Sequence, residues 1–238
     1  MADSGTEKEM GGISRIIGIF TSPRDTFASI DRKPTWLVPF IILVVGVVVM
    51  ILLTQDIGIQ DRIAQMEARG VPQEQMDVVQ SRMQGGAKYI GLVAAPIFML
   101  ISWTVIAGIL LFGGNTMMGG ASTFKKMFAL VSWSSLIGMI ALIIKTVLIV
   151  VKGTSSGVTT SLAAFLPIPS LGSAQSVLYR LLSKFDIFTI WEMILWIVGI
   201  SVMYRFTTKK SAILVGIIWG CWVVVSVALG GLFANLGM

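Results

Sequence analysis

Residues 35–53 read TWLVPFIILVVGVVVMILL, 19 positions without one ionisable side chain. A hydrocarbon core about 30 Å thick takes roughly 20 residues of helix to cross, so a run of this kind has one stable home, a helix in lipid. Four further runs have comparable length. The five candidate spans are 36–53, 89–112, 128–151, 187–204 and 212–233. Composition agrees, because 55% of the chain is hydrophobic and 13% charged, with a mean hydropathy of +0.87, too few polar groups to coat a soluble globule. The fold class predicted is all-α, an integral membrane helical bundle with five transmembrane helices plus short amphipathic interfacial helices. Trp36 stands where an aromatic ring meets the headgroups.

The same composition argues against several chemistries. Histidine is absent, which removes the commonest general base and metal ligand. The lone Cys221 lies inside an apolar run and offers neither an intrachain disulfide nor a thiolate cluster. Gly153-Thr154-Ser155-Ser156-Gly157 matches G-x-S-x-G but lacks the flanking strand and the histidine that a nucleophile elbow needs. There is no H-E-x-x-H, and no second intramembrane carboxylate to make an aspartyl dyad. The expectation is a non-enzymatic protein with no catalytic residue, no metal site and no cofactor. The net charge of +6 sits beside the apolar runs, so it points to anionic lipid rather than to nucleic acid.

Orientation follows from the cations. With the amino terminus inside, ten (Lys8, Arg15, Arg24, Arg32, Lys33, Lys125, Lys126, Arg205, Lys209 and Lys210) fall in short cytoplasmic segments. Seven (Arg62, Arg69, Arg82, Lys88, Lys152, Arg180 and Lys184) fall outside, offset by five acids in the first outer loop. The bias favours the amino terminus inside and, with five spans, the carboxyl terminus outside. The first span is expected to remain as an anchor, since a long segment with acids precedes it and no small-x-small cleavage site follows. The organisation expected is a cytoplasmic segment 1–35, a membrane domain 36–233 and a tail 234–238.

Ile13, Ile16, Ile17 and Phe20 recur at helical spacing, with Ser14 and Arg15 facing elsewhere, which predicts an amphipathic helix. Ser22-Pro23-Arg24-Asp25 predicts a second helix from Pro23, carrying Phe27 and Ile30 and ended by Pro34. The two helices either lie in the interfacial plane or form a docking surface for a cytoplasmic partner. Residues 57–84 read as an extramembrane helical hairpin divided at Gly70-Val71-Pro72. The segment after Lys152 reads as the flexible run GTSSGVTTS, then an apolar stretch and an interfacial helix through Leu178 and Phe185.

Two ionisable residues lie well inside apolar runs, Lys145 seven residues before Lys152 and Glu192 six after Asp186. If both outer ends are level, Lys145 and Glu192 share a depth, and an ion pair offsets the cost of either charge in lipid. Such a pair either orients the bundle or belongs to a polar path for an ion, proton or small solute. In a third arrangement, Lys145 snorkels outward alone and Glu192 is protonated or hydrated. Small residues four apart, Gly216 and Gly220, Ser134 and Gly138, Thr104 and Gly108, allow close helix approach, either within the chain or in a homo-oligomer through the fifth span.

Three stretches, FTSPRDTFASIDRKPTWLVP, the run from Pro96 through Trp103 to FGGNTMMGGASTFKKMFALVSW, and FDIFTIWEMILWIVGISVMYRF, resemble the bacterial branch of the Yip domain family, named for Ypt/Rab-interacting proteins. The likeness runs from about Ile16 to Phe233, and Pro23, Trp36, Pro39, Pro96, Asp186, Phe188 and Trp191 carry it. It implies a five-span membrane protein with a cytoplasmic amino terminus, in the inner (plasma) membrane of a bacterium. Eukaryotic relatives bind Rab-type GTPases and one another in vesicle traffic and membrane shaping. The short amino-terminal segment here argues against a Rab-type partner. The function expected is a membrane-organising or partner-recruiting scaffold, with membrane lipid, protein partners or a second copy as contacts. The alternative is a channel or transporter with a polar path near Lys145 and Glu192.

Overall fold

The computed structural model describes residues 10–85, 89–171, 173 and 175–235; the side chains of residues 84 and 231–235 are not described. Lys8, Lys88 and the far ends of the amino-terminal segment and tail lie outside the described residues. The chain folds into an all-helical membrane bundle. Two short helices, α1 (Gly12–Thr21) and α2 (Pro23–Arg32), precede α3 (Leu37–Ala68), α4 (Gln73–Gln84) and α5 (Ile90–Phe112). A π-helical turn, Gly113–Met117, leads to α6 (Phe124–Ser134) and α7 (Ile137–Lys152), and then come α8 (Val177–Leu182), α9 (Ile187–Met203) and α10 (Thr208–Asn235). Among the described residues four helical segments are long and apolar enough to cross a membrane, namely Leu37–Ala68, Ile90–Met117, Phe124–Lys152 and Thr208–Gly230. The apolar α9 has 17 residues, about 25 Å of helix.

Helix α3 runs without a break for 32 residues, about 48 Å, so its polar last four turns or so continue straight out of the lipid. The first arm expected of a separate hairpin is therefore the extension of the first span. The reason is local, since Thr54 to Ala68 contains no proline and a single glycine, too little to stop a helix already nucleated. The turn comes at Gly70, whose φ of +72° is left-handed, and α4 returns from Pro72 with Met76 buried.

The third span is broken rather than continuous. Between α6 and α7 the Ser135 hydroxyl lies 3.0 Å from the carbonyl oxygen of Val131, one turn back, and the chain makes a tight turn through Leu136. Serine back-bonding of this kind bends helices.

Most buried apolar side chains gather in one half of the bundle. Ile19, Phe27 and Ile30 from α1 and α2 join Leu43 of α3, Trp103, Ala107 and Leu110 of α5, Met127 to Ile137 of the third span, Leu195 to Tyr204 at the end of α9, and Leu214 and Val215 of α10. All of these lie toward the end at which α3 begins, here called the amino-terminal face. Toward the opposite face the buried apolar residues thin out, among the described residues, to Met76, Ala141, Ile149, Ala163 and Val223.

Candidate functional site

Arg15 organises the amino-terminal face. Heptad-like spacing puts it on the polar side of α1, yet it is 4% exposed, and Ile13 and Ile17 are the exposed residues, at 76% and 58%. Its guanidinium donates to Ser29 Oγ and the Ser29 carbonyl, to the Lys33 carbonyl and to Thr35 Oγ1, all at 3.0–3.2 Å. One planar fork thus holds α1, the end of α2 and the entry to α3 in one geometry. Phe27 and Ile30, expected on a membrane-facing stripe, are instead fully buried, because α2 packs into the bundle. A Cβ on Gly199 of α9 would stand 2.7 Å from Leu130 and 3.1 Å from Phe27, so that glycine is what lets α2 and α6 approach α9. Only the outer side of α1 remains for lipid.

The residues that carry the family resemblance converge on this face and on the start of α9. Pro23 opens α2, with no side-chain cap from Ser22. Trp36 precedes α3 and meets Phe40 and Phe128 edge-on at 5.7 and 5.5 Å, while Trp103 meets the same two rings at 6.1 and 6.0 Å. Pro39 is buried in the first turn of α3, and Trp133 donates its indole N–H to the Thr35 carbonyl at 2.6 Å. Trp191 meets Phe20 of α1 at 6.1 Å, and Phe188 packs against the core. Pro96 lies inside α5 in the opposite half. The π-helical turn follows α5, and there Gly114 and Gly120 leave room for the Tyr204 ring, which stacks on Phe206 at 5.0 Å. Lys210 caps the Met118 carbonyl at 2.7 Å and lies 4.0 Å above the Phe206 ring. Lys126 pairs with Asp31 at 2.6 Å and ties α6 to α2.

Polar contacts dominate the opposite half. Asp186 caps α9 by accepting from the Phe188 N–H at 2.9 Å, accepts from Thr160 Oγ1, and lies 3.5 Å from Lys145 Nζ. Glu192 meets Ser135 instead, at 2.9 Å across the break in the third span. Lys145 and Glu192 are thus each engaged elsewhere, and the pairing drawn from sequence depth is replaced by Lys145 with Asp186. The short α9 explains this. It starts well below the end of α7, so Asp186, rather than a residue about 9 Å further along the helix, stands level with Lys145.

GTSSGVTTS, read as a flexible run, is held in place. Asp61 on the extension of α3 accepts from Thr154 Oγ1 at 2.7 Å and from both the N–H and the hydroxyl of Ser155. Burial acts to raise the Asp61 carboxyl, but these donors and the nearby Lys152 charge outweigh it and hold the group below its ordinary value. The G-x-S-x-G serine therefore anchors a helix. Among the described residues no group of three His, Cys, Asp or Glu side chains comes together as a metal site would require.

The small-residue pairs divide. Ser134 is fully buried, whereas a Cβ on Gly138, Gly216, Gly220 or Gly108 would meet nothing within 4 Å, and Thr104 is exposed. Close approach inside the chain falls to other glycines, as at Gly46, where a Cβ would meet Met139 and Leu142 of α7. Two of these contacts carried no signal in the sequence, because Arg15 and Ser29 lie on different helices and Asp61 and Ser155 are 94 residues apart, so no single helical or strand period runs between them.

This architecture defines an all-α, multi-helix membrane protein whose charged groups clamp helices together. The Yip1 domain family matches residues 17–230, and the chain belongs to that family. The membrane protein YknW of Bacillus subtilis (strain 168) is 28% identical to it over 235 residues, which span 96% of this chain and 94% of that protein. No solved structure matches.

Proposed function

We propose that the chain is a non-enzymatic, five-span scaffold of the bacterial inner membrane, amino terminus cytoplasmic and carboxyl terminus outside, that recruits partners or organises membrane through its amino-terminal face. The observation that carries this reading is the Arg15 clamp, which makes α1 and α2 part of the bundle and so turns a segment with the composition of a loose surface helix into a rigid platform. That platform exposes Arg24, Asp25, Arg32 and Lys33 beside Lys125, Arg205 and Lys209. A rigid charged surface loses little entropy on binding and selects partners by complementary charge. The five-span count takes α9 as a full span, its 17 residues matched to a bundle whose opposite half is thinned by the polar segment around Thr160 and Asp186.

A transport role is the second reading, favoured by one observation: Thr160, Asp186 and Lys145 form a polar node recessed about 10 Å below the end of α7, with irregular backbone beside it. Two measurements separate the readings. Cross-linking in native membranes should recover defined cytoplasmic partners with the wild-type chain and lose them with Arg24→Glu plus Lys125→Glu. Solute or proton flux in proteoliposomes that disappears in Lys145→Met, with no partner recovered, would replace the scaffold by a transporter. For orientation, single cysteines at Gln73 and at Thr207, in a Cys221→Ala background, should react with an impermeant thiol reagent in intact cells at Gln73 alone.

A further inference from the structure

Glu192 stands apart from the clamps because, among the described residues, it meets no cation. Its Oε1 is 2.9 Å from Ser135 Oγ, and that same hydroxyl oxygen is 3.0 Å from the Val131 carbonyl. A serine hydroxyl has one proton to donate, and a carbonyl oxygen has two lone pairs, so Val131 can accept both the Ser135 N–H, at 3.0 Å, and the Ser135 O–H. If the hydroxyl donates to Val131, the short contact to Glu192 holds a hydrogen only when the carboxyl group supplies it. An ionised Glu192 would leave one of the two oxygen contacts without a proton.

The neighbours point the same way. Helix α9 packs against α2, α6, α7 and α10. Helix α7 offers Lys145, engaged by Asp186. Helix α1, which meets α9 through Phe20 and Trp191, offers Arg15, engaged by Ser29, Lys33 and Thr35. The ionisable residues of α2 (Arg24, Asp25, Asp31, Arg32) and α10 (Lys209, Lys210) belong to the amino-terminal face, and Lys125 and Lys126 of α6 stand about 14–15 Å along the helix from Ser135. A carboxylate at this depth without a cation is costly in lipid, whereas a neutral acid needs one good acceptor and one donor. The break between α6 and α7 supplies that acceptor in the Ser135 hydroxyl oxygen, whose own proton goes to Val131.

We infer that Glu192 is a proton-binding site within the membrane, its carboxyl group held as the neutral acid and donating to Ser135 Oγ at the break in the third span. Release of the proton to solvent leaves a carboxylate that must accept the Ser135 hydroxyl proton, so the hydroxyl turns away from Val131 and the back-bond that bends the helix is lost. The bound proton and the break are thereby linked. This inference does not rest on the scaffold reading.

Infrared spectroscopy of the full chain in lipid nanodiscs at neutral pH tests it, since ordinary carboxyl groups are ionised there and contribute no protonated carbonyl band. One such band, equivalent to one group per chain, should be present in the wild type, vanish in Glu192→Gln and persist in Asp61→Asn and Asp186→Asn. Ser135→Ala should keep the band and move it to higher frequency by removing its hydrogen-bond partner. A wild-type spectrum without the band, a band that survives Glu192→Gln, or a band unmoved by Ser135→Ala overturns the inference. Should Glu192→Gln fail to fold, the Ser135→Ala shift decides alone.

Discussion

The two halves of the bundle are held together by different physics. At the amino-terminal face, aromatic rings, buried aliphatic side chains and glycines under ring or methyl contact make a close-packed core, with Arg15 as its buried polar keystone. At the opposite face discrete polar contacts join the elements: Asp61 to the Thr154–Ser155 turn, Lys145 to Asp186, and Arg180 to the Gly230 carbonyl at 2.6 Å. In lipid, helices gain little by exchanging tails for each other's leucines, so association depends on close packing or on polar bonds. This chain uses the first in one half and the second in the other. The packed half resists change as a unit, while the clamped half can alter one joint at a time.

The largest effect should come from the keystone. Arg15→Met strands the acceptors on Ser29, Lys33 and Thr35 and is expected to cost about 2–4 kcal/mol, read as a marked fall in thermal midpoint in detergent. Arg15→Lys should recover little of it, because an ammonium cannot match the planar fork. An unchanged midpoint would mean that the amino-terminal helices are not part of the cooperative unit.

Glycine substitutions sharpen the comparison. Gly199→Ala and Gly114→Ala each drive a methyl into packed side chains and should cost about 1–3 kcal/mol, whereas Gly216→Ala in open surroundings should be neutral or gain up to about 1 kcal/mol from helix propensity. Equal losses at all three, or a Gly216→Ala loss that depends on protein concentration, would place a helix contact on α10 and favour the homo-oligomer.

At the opposite face, Asp61→Asn or Ser155→Ala should each cost about 1 kcal/mol, with faster hydrogen exchange confined to the end of α3 and residues 153–157. The folded Asp61 carboxyl titrates below its unfolded value, so its contribution is complete above the ordinary carboxylate range and is lost as pH falls through the lower folded value. Mild acid should therefore loosen this clamp and spare the Arg15 face.

The smallest effect is the Lys145–Asp186 joint, whose side chains are 38% and 12% exposed. A double-mutant cycle of Lys145→Met with Asp186→Asn should give a coupling of about 0.5–1 kcal/mol, while Lys145→Met with Glu192→Gln should be additive within about 0.5 kcal/mol. Strong coupling in the second cycle would restore the pair that the sequence suggested.

Apolar run length and composition alone were enough to derive an all-helical membrane bundle, and the positions of Pro23, Gly70 and Pro72 marked where helices start and stop, because both signals are local and follow from backbone chemistry and transfer from water. The amphipathic spacing of α1 was legible too, but not which of its faces would be covered. What tertiary structure decided was depth and partnership. Whether Lys145 meets Glu192 or Asp186 depends on how far α9 is recessed against α7, and a hydropathy run cannot fix where its first turn sits relative to another helix. Whether Arg15 faces solvent or the core depends on acceptors gathered from Ser29, Lys33 and Thr35, backbone and hydroxyl oxygens that hydropathy counts as ordinary loop and cap residues. Burial of a charge becomes favourable only when several such groups converge, and convergence of residues distant along the chain is a property of the folded molecule.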